Sequence, residues 1–352
     1  MRPVGILALT HSSRRTNLDR CSVEFLTRRF GDPSRLHGLP PFDSLAPPEP
    51  LYSGAVSLFR VVEERGVLRF GSLRTIKDRE KIQHVAMLNG SDFLVGYEHR
   101  VERWRPRPVR RYEHPHLAGL HTVALLDEER AVLSCSSPDA ILILNLASGE
   151  IERTLRMPAE LYGRNYDLSP GMDLRRHFIG DEQQTTHVNQ AFPFDGGRKI
   201  LVSTLIQGAV GVFDLQSGAY EEIARGFVGC HGARINEEGE IYFADSPRGH
   251  LVLLDHRRRI SRSFDAGSRW LHDVQQIAGS VYAFALADVN ELRVWDIDRG
   301  ELLFRRRFFT WPVEGFFGLA RRVPFWLGNS TQALSFRSTA KVPGRSKSPE
   351  VG

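Results

Sequence analysis

Five histidines occupy one repeated position in this chain. His84, His121, His187, His231 and His272 each head a short apolar run, in Gln83-His84-Val85-Ala86, Leu120-His121-Thr122-Val123, Thr186-His187-Val188-Asn189, Cys230-His231-Gly232-Ala233 and Leu271-His272-Asp273-Val274. Histidine accounts for only 13 of 352 residues. Its recurrence at one place in a repeat points to a shared use. Neutral imidazole is a common transition-metal ligand, and three or four converging rings that leave a position open make a Lewis-acid or oxygen-activating centre. The expectation is a divalent transition metal, iron or zinc, held by at least three of the five. His231 and His187 are the catalytic candidates, with Asn189 and Asp273 orienting a ring or a bound substrate. A second reading uses the imidazoles without metal, for acid–base or nucleophilic group transfer. A third makes them structural, a residue inherited by each copy of a duplicated unit.

The elements that position these residues are short. Long helical periodicity is nearly absent, and alternating or apolar runs are separated by Gly, Asp, Asn and Ser turns. Stacked at a spacing of about forty residues, the runs align as units of four strands, the period of a propeller blade. Ala131–Cys135, Ile200–Thr204, Ile241–Asp245 and Val281–Phe284 read as second strands, and the turns ending Ser148-Gly149, Ser217-Gly218 and Arg299-Gly300 recur at matching places. The fold class expected is all-β, a six-bladed β-propeller with a long inter-blade lid insertion. In such a ring the inner strands line a central channel, so the five imidazoles converge near the axis.

The sixth copy is expected at Phe316-Phe317, Pro324–Leu327 and Ala333–Phe336, with phenylalanine where the others carry histidine. Ala55–Phe59 and Glu64–Phe70 read as the third and fourth strands that close the ring, while residues 1–30 leave a seventh blade open. The domain division expected is an N-terminal segment over 1–50 with a Pro-rich strap, the propeller over 51–338 with its insertion at 156–186, and a disordered basic tail over 339–352. Tyr162, Arg164, Asn165, Tyr166, Asp167, Arg175, Arg176 and His177 give the insertion the composition of an ordered lid.

Composition narrows the function classes. Hydrophobic residues make up 41% and charged residues 25%, the profile of a globular protein and not of a disordered or fibrous one. No run approaches the ~20 apolar residues that span a bilayer. The apolar stretch Val4–Leu9 is too brief for a secretory signal, so a cytoplasmic location is expected. Cys21, Cys135 and Cys230 are too scattered for a disulfide framework or a CxxC zinc site. Cys230 adjoins His231 but points to the opposite face of a strand, which packs it between blades. The net charge of +5 comes from Arg clusters such as Arg257–Arg259 and Arg305–Arg307. These are either solvated surface or a channel mouth that attracts anions. No nucleic-acid motif accompanies them, so the partner expected is a small organic molecule, with neither nucleic acid nor membrane. The Trp-Asp signature of WD40 scaffolds occurs once, at Trp295-Asp296, which weakens the third class of function, a non-catalytic interaction platform.

Residues 187–255 resemble the bacterial arylsulfate sulfotransferase propellers. The resemblance lies in Thr186-His187-Val188-Asn189 followed by Ile200–Thr204 and Val212-Phe213-Asp214, and in Cys230-His231-Gly232-Ala233 followed by Gly239–Tyr242 and Asp245-Ser246. It implies six blades, a histidine-lined channel, and transfer of a sulfuryl group between phenols through a transiently sulfated histidine. His231 is the implied nucleophile and His187 its channel partner. The chain departs from that family in carrying Leu205 where the family has an arginine.

Overall fold

The structure, a computed structural model, describes residues 2–12, 54–78, 82–89, 92–105, 107–163, 172–175, 179, 184–308 and 331–338. Asx turns build the blades. Asn145, Asp214 and Asp296 each turn a side-chain oxygen onto the backbone N–H groups two and three residues on. Gly149, Gly218 and Gly300 then take positive φ. This local geometry reverses the chain between the third and fourth strands of three blades, at the turns the repeat identified.

Five blades follow the chain, each a four-stranded antiparallel sheet. The first holds β4 (His84–Asn89), β5 (Asp92–Gly96), β6 (Val101–Trp104) and β7 (Pro108–Tyr112). The second holds β8 (Leu120–Leu125), β9 (Arg130–Cys135), β10 (Ala140–Asn145) and β11 (Ile151–Arg156). The third holds β12 (Val188–Phe194), β13 (Lys199–Thr204), β14 (Ala209–Asp214) and β15 (Tyr220–Arg225). The fourth runs through β16 (Cys230–Ile235), β17 (Ile241–Asp245), β18 (His250–Leu254) and β19 (Ile260–Asp265). The fifth runs through β20 (Leu271–Ala278), β21 (Val281–Leu286), β22 (Glu291–Asp296) and β23 (Glu301–Arg307).

The sixth blade joins the two ends of the chain. Its order is β24 (Thr331–Ser338), β1 (Arg2–Ser12), β2 (Gly54–Glu64) and β3 (Val67–Lys77). β2 and β3 are the closing third and fourth strands the sequence points to. Ala333–Phe336, expected late in a sixth copy, instead forms part of the innermost strand, because β1 supplies the second. Arg2–Ser12, expected in a segment apart from the propeller, is thus a blade strand. Phe316, Phe317 and Pro324–Leu327, the Pro-rich strap and the tail lie outside the described residues. The inner strands contact one another in a closed cycle, β4 to β8, β12, β16, β20, β24 and back to β4. The ring has six blades.

The core lies between blades. Leu94, Val101, Leu133 and Leu142 pack the first blade on the second, and Tyr242, Leu251, Phe284 and Leu286 pack the fourth on the fifth. Cys230 lies between the third and fourth, among Leu201, Val210 and Phe243. Among the described residues no helix is long and apolar enough to cross a membrane. The Arg clusters fall on outer strands and turns. Arg258 and Arg259 pair with Glu221 and Asp255, and Arg305 with Glu291. They are solvated surface and not a channel mouth.

Closure rests on Arg234 of β16 and Asp273 of β20. Both are buried, and Arg234 donates to both carboxylate oxygens at 2.6 and 3.1 Å. Arg234 also donates to the Leu334 carbonyl of β24, whose N–H returns a hydrogen bond to Asp273 at 2.8 Å. Replacing Arg234 by Met strands a buried carboxylate and is expected to cost roughly 3–5 kcal/mol, much of it recovered in Arg234→Met/Asp273→Leu. Urea unfolding measures both. A single variant that loses less than about 1 kcal/mol contradicts this role for the pair.

Candidate functional site

The inner strands begin at the same mouth of the channel, and at this end the pairing of β8, β12, β16 and β20 is irregular. The register shifts between Leu120 and Thr122, Val188 and Gln190, His231 and Arg234, and Leu271 and Asp273. A bulge of this kind re-aims side chains next to a site. In β16 it has a specific result. His231 opposes Ala244 and Arg234 opposes Tyr242, two residues apart on β17, so His231 and Arg234 share one face despite a three-residue separation. That face is turned to the fifth blade, where it meets Trp270, His272 and Asp273. Gly232 permits the bulge. Its φ is +64°, and a Cβ there would lie 2.2 Å from Asp273 Oδ1.

The histidines gather as pairs. His121 and His187 have ring centroids 4.6 Å apart, and His231 and His272 4.9 Å apart. His231 Nδ1 lies 2.8 Å from Ser246 Oγ at the start of the next turn. Burial, and then the neighbouring His272, His121 and His187, hold the His231 imidazole well below its ordinary range. His231 is therefore neutral, and it shares an electrostatic field with three other rings. His84 stands apart. It is 5% exposed, and neither ring nitrogen has a hydrogen-bond partner of normal geometry among the described residues. Burial pulls its pKa down to about 4, with smaller opposing effects from Asp273 and Arg234.

His187 takes φ +51°, a conformation costly for a side chain with a Cβ. Asp139, at the turn between β9 and β10, holds it there. Its buried carboxylate accepts hydrogen bonds from the N–H groups of Thr185, Thr186 and His187 and from the hydroxyls of both threonines. The described parts of the 156–186 insertion dock on this same mouth. Leu174 donates to the Pro115 carbonyl, Ile179 donates to Ser137 Oγ, and both pack on Ala118. Tyr162, in the short helix α1 (Ala159–Tyr162), bonds Tyr220 and Glu222 at 2.7 Å. Arg164, Asn165, Tyr166, Asp167, Arg176 and His177 lie outside the described residues.

Two of the expected catalytic residues are committed elsewhere. Asn189 donates to the Cys230 carbonyl at 2.8 Å and accepts from Ser203 Oγ at 2.8 Å, which ties the third blade to the fourth. Asp273 has both oxygens engaged by Arg234 and by backbone N–H groups. Neither carboxamide nor carboxylate orients a histidine ring. Among the described residues, no three or more His, Cys, Asp or Glu side chains are grouped to hold a metal ion. The expected iron or zinc centre at His84, His121, His187, His231 and His272 does not fit this pairwise arrangement, and no chemistry is routed through it. Arg234, Asp139 and Trp270 also belong to the site, without a signal in the repeat. Ser246 carried a signal, since it follows the Asp245 of the resemblance.

No protein-family model matches the chain, and no curated protein matches it. Solved structures do. A selenomethionine-substituted virginiamycin B lyase from Staphylococcus aureus is similar over 72% of this chain and 80% of its own, at 11% identity and a TM-score of 0.49. The WD40 β-propeller domain of Doa1 is similar over 65% and 71%, at 8% identity and a TM-score of 0.45. Neither likeness bears on the chemistry of the site.

In the same direction as His231, His84 contributes to the pH dependence of stability. Its folded pKa of about 4 lies below the unfolded value near 6.5, so the unfolded chain takes up the proton first. The stabilisation is present above about pH 6.5 and is lost as pH falls toward 4, by about 3 kcal/mol in full. His84→Gln removes this titration. Urea midpoints measured from pH 7 to 4.5 should fall less steeply in the variant, and parallel slopes would contradict the assignment.

Proposed function

We propose that the histidine mouth is the active site of an enzyme that transfers a group between small organic molecules through His231, without a metal. The observation that carries this reading is the 2.8 Å contact of Ser246 Oγ with His231 Nδ1 on a ring kept neutral by burial and by its neighbours. In this reading Nδ1–H donates to Ser246 Oγ, which sets the tautomer and leaves the lone pair on Nε2. A neutral imidazole with an unprotonated nitrogen is a nucleophile at ordinary pH.

In the first step Nε2 attacks the central atom of the transferring group. The bond from that atom to the leaving oxygen breaks, and the oxygen departs with the electron pair and takes a proton from solvent. In the second step an acceptor hydroxyl attacks the same atom, the bond to Nε2 breaks, and the hydroxyl proton passes to a neighbouring imidazole, His272 or His187. The resemblance to arylsulfate sulfotransferases supports sulfuryl as the group and a phenol as acceptor. The docking of residues 172–175 and 179 on this mouth supports a lid that limits competition from water.

The test is intact-protein mass spectrometry after incubation with 4-nitrophenyl sulfate, with nitrophenol release followed in parallel. Wild-type protein should gain one sulfuryl group on His231 and release nitrophenol, unaffected by prior dialysis against a chelator. His231→Asn should lose both, and Ser246→Ala should slow release about ten- to a hundredfold. Activity should fall on acidification only well below the ordinary imidazole range. Turnover that survives in His231→Asn, or that vanishes on chelation, contradicts the proposal.

A further inference from the structure

His187 differs from the other three paired histidines in its backbone. It takes φ +51°, whereas His121, His231 and His272 do not take positive φ. If the chain needed only to turn here, glycine would serve at lower cost, because it has no Cβ to crowd the left-handed conformation. Residues held in such conformations persist where their surroundings over-determine them, and they concentrate at functional sites.

The surroundings of His187 meet that condition on both sides. From the second blade, the Asp139 carboxylate takes the N–H groups of Thr185, Thr186 and His187 at 2.6, 3.2 and 2.7 Å. From the turn after β13, Gln207 Nε2 donates to the Thr185 carbonyl at 2.7 Å. The N–H groups of Ile206 and Leu205 donate to the carbonyls of Thr186 and His187, each at 3.2 Å. All six backbone polar groups of residues 185–187 are therefore engaged. The hydroxyls of Thr185 and Thr186 give Asp139 two more hydrogen bonds, at 2.9 and 2.7 Å. Asp139 is itself at φ +48° and 1% exposed, so one strained residue at a blade turn holds another. Beside this cradle the His187 ring meets His121 edge to face, with centroids 4.6 Å apart.

We propose that Asp139 is a positioning residue for the transfer reaction: its grip on residues 185–187 sets His187 as the imidazole that receives the acceptor's proton. This inference rests on the group-transfer reading of the site, which leaves that proton to His272 or His187. Asp139 acts through the backbone, since its carboxylate is filled by N–H and hydroxyl donors. His272, 4.9 Å from His231, is left as a neighbour of the nucleophile.

The experiment separates the two steps on the full chain. Protein is loaded with 4-nitrophenyl sulfate and desalted, and the sulfuryl group on His231 is counted by intact-protein mass spectrometry. The loaded protein is then mixed with an acceptor, and transfer is measured per loaded molecule. Phenol must give up its proton during attack, whereas deuterated 4-nitrophenol is largely ionised at mildly alkaline pH and has none to give. His187→Gln is expected to slow transfer to phenol about a hundredfold and Asp139→Asn about tenfold, with much smaller effects on transfer to the nitrophenol. Thr186→Val removes one hydrogen bond from Asp139 at nearly constant shape. It is expected to act like Asp139→Asn but more weakly, and it decides the matter should Asp139→Asn not fold. His272→Gln is expected to slow both acceptors alike. Equal slowing of both acceptors in His187→Gln, its failure to load, or selective slowing of phenol in His272→Gln alone overturns the assignment of the proton. An unchanged ratio between the acceptors in the Asp139 and Thr186 variants overturns the role of Asp139. These outcomes leave the reading of the site standing, whereas wild-type protein that takes up no sulfuryl group overturns that reading and this inference together.

Discussion

A single buried ion pair links the closure of the ring to the floor of its site. Arg234 and Asp273 are charged groups placed where water does not reach them, an arrangement that costs more than it returns unless every lone pair and proton is matched. Here the matching is dense. The guanidinium serves both carboxylate oxygens and the carbonyls of Gly232, Val274 and Leu334, and the carboxylate takes the N–H groups of Val274 and Leu334. The partners come from the fourth, fifth and sixth blades. β24 brings the C-terminal part of the described chain against strands from the middle of the chain.

The same pair shapes what stands above it. Gly232 must bulge to bring Arg234 round to Asp273, and the bulge turns His231 toward His272 and Trp270. The histidines are consequently set by the blade-to-blade contacts, which run two by two. Rings close together and removed from water repel each other's positive charge, and burial and repulsion act in the same direction on His231. A metal would need several lone pairs aimed at one point. The rings instead stand two by two, His121 with His187 and His231 with His272.

Much of this was legible in the sequence, and the reason is periodicity. A repeat of about forty residues exposes its turns and its inner strands, so the six blades, the pairing of Ala55–Phe59 with the segment after it, and the alignment of five histidines could be read directly. Contacts between blades are not periodic. Asp273 and Asn189 stood beside histidines in the sequence and looked like their partners, yet Arg234 and the Cys230 carbonyl claim them across a blade boundary. The left-handed conformation of His187 depends on Asp139, 48 residues away. Ala333–Phe336 was misplaced within its blade because β1, from the far end of the chain, takes the second-strand position. Arg305 and Arg259 pointed toward anion capture by charge alone, and their carboxylate partners explain them as surface.

The most direct test of the account is the protonation state of the site itself. Nitrogen-15 side-chain NMR of the histidines, followed from pH 8 to the acid limit of folding, reports charge and tautomer for each ring. His231 is expected to stay neutral through the ordinary imidazole range, with its proton on Nδ1 and its lone pair on Nε2. A His231 that titrates near its unperturbed value, or that carries its proton on Nε2, would contradict it.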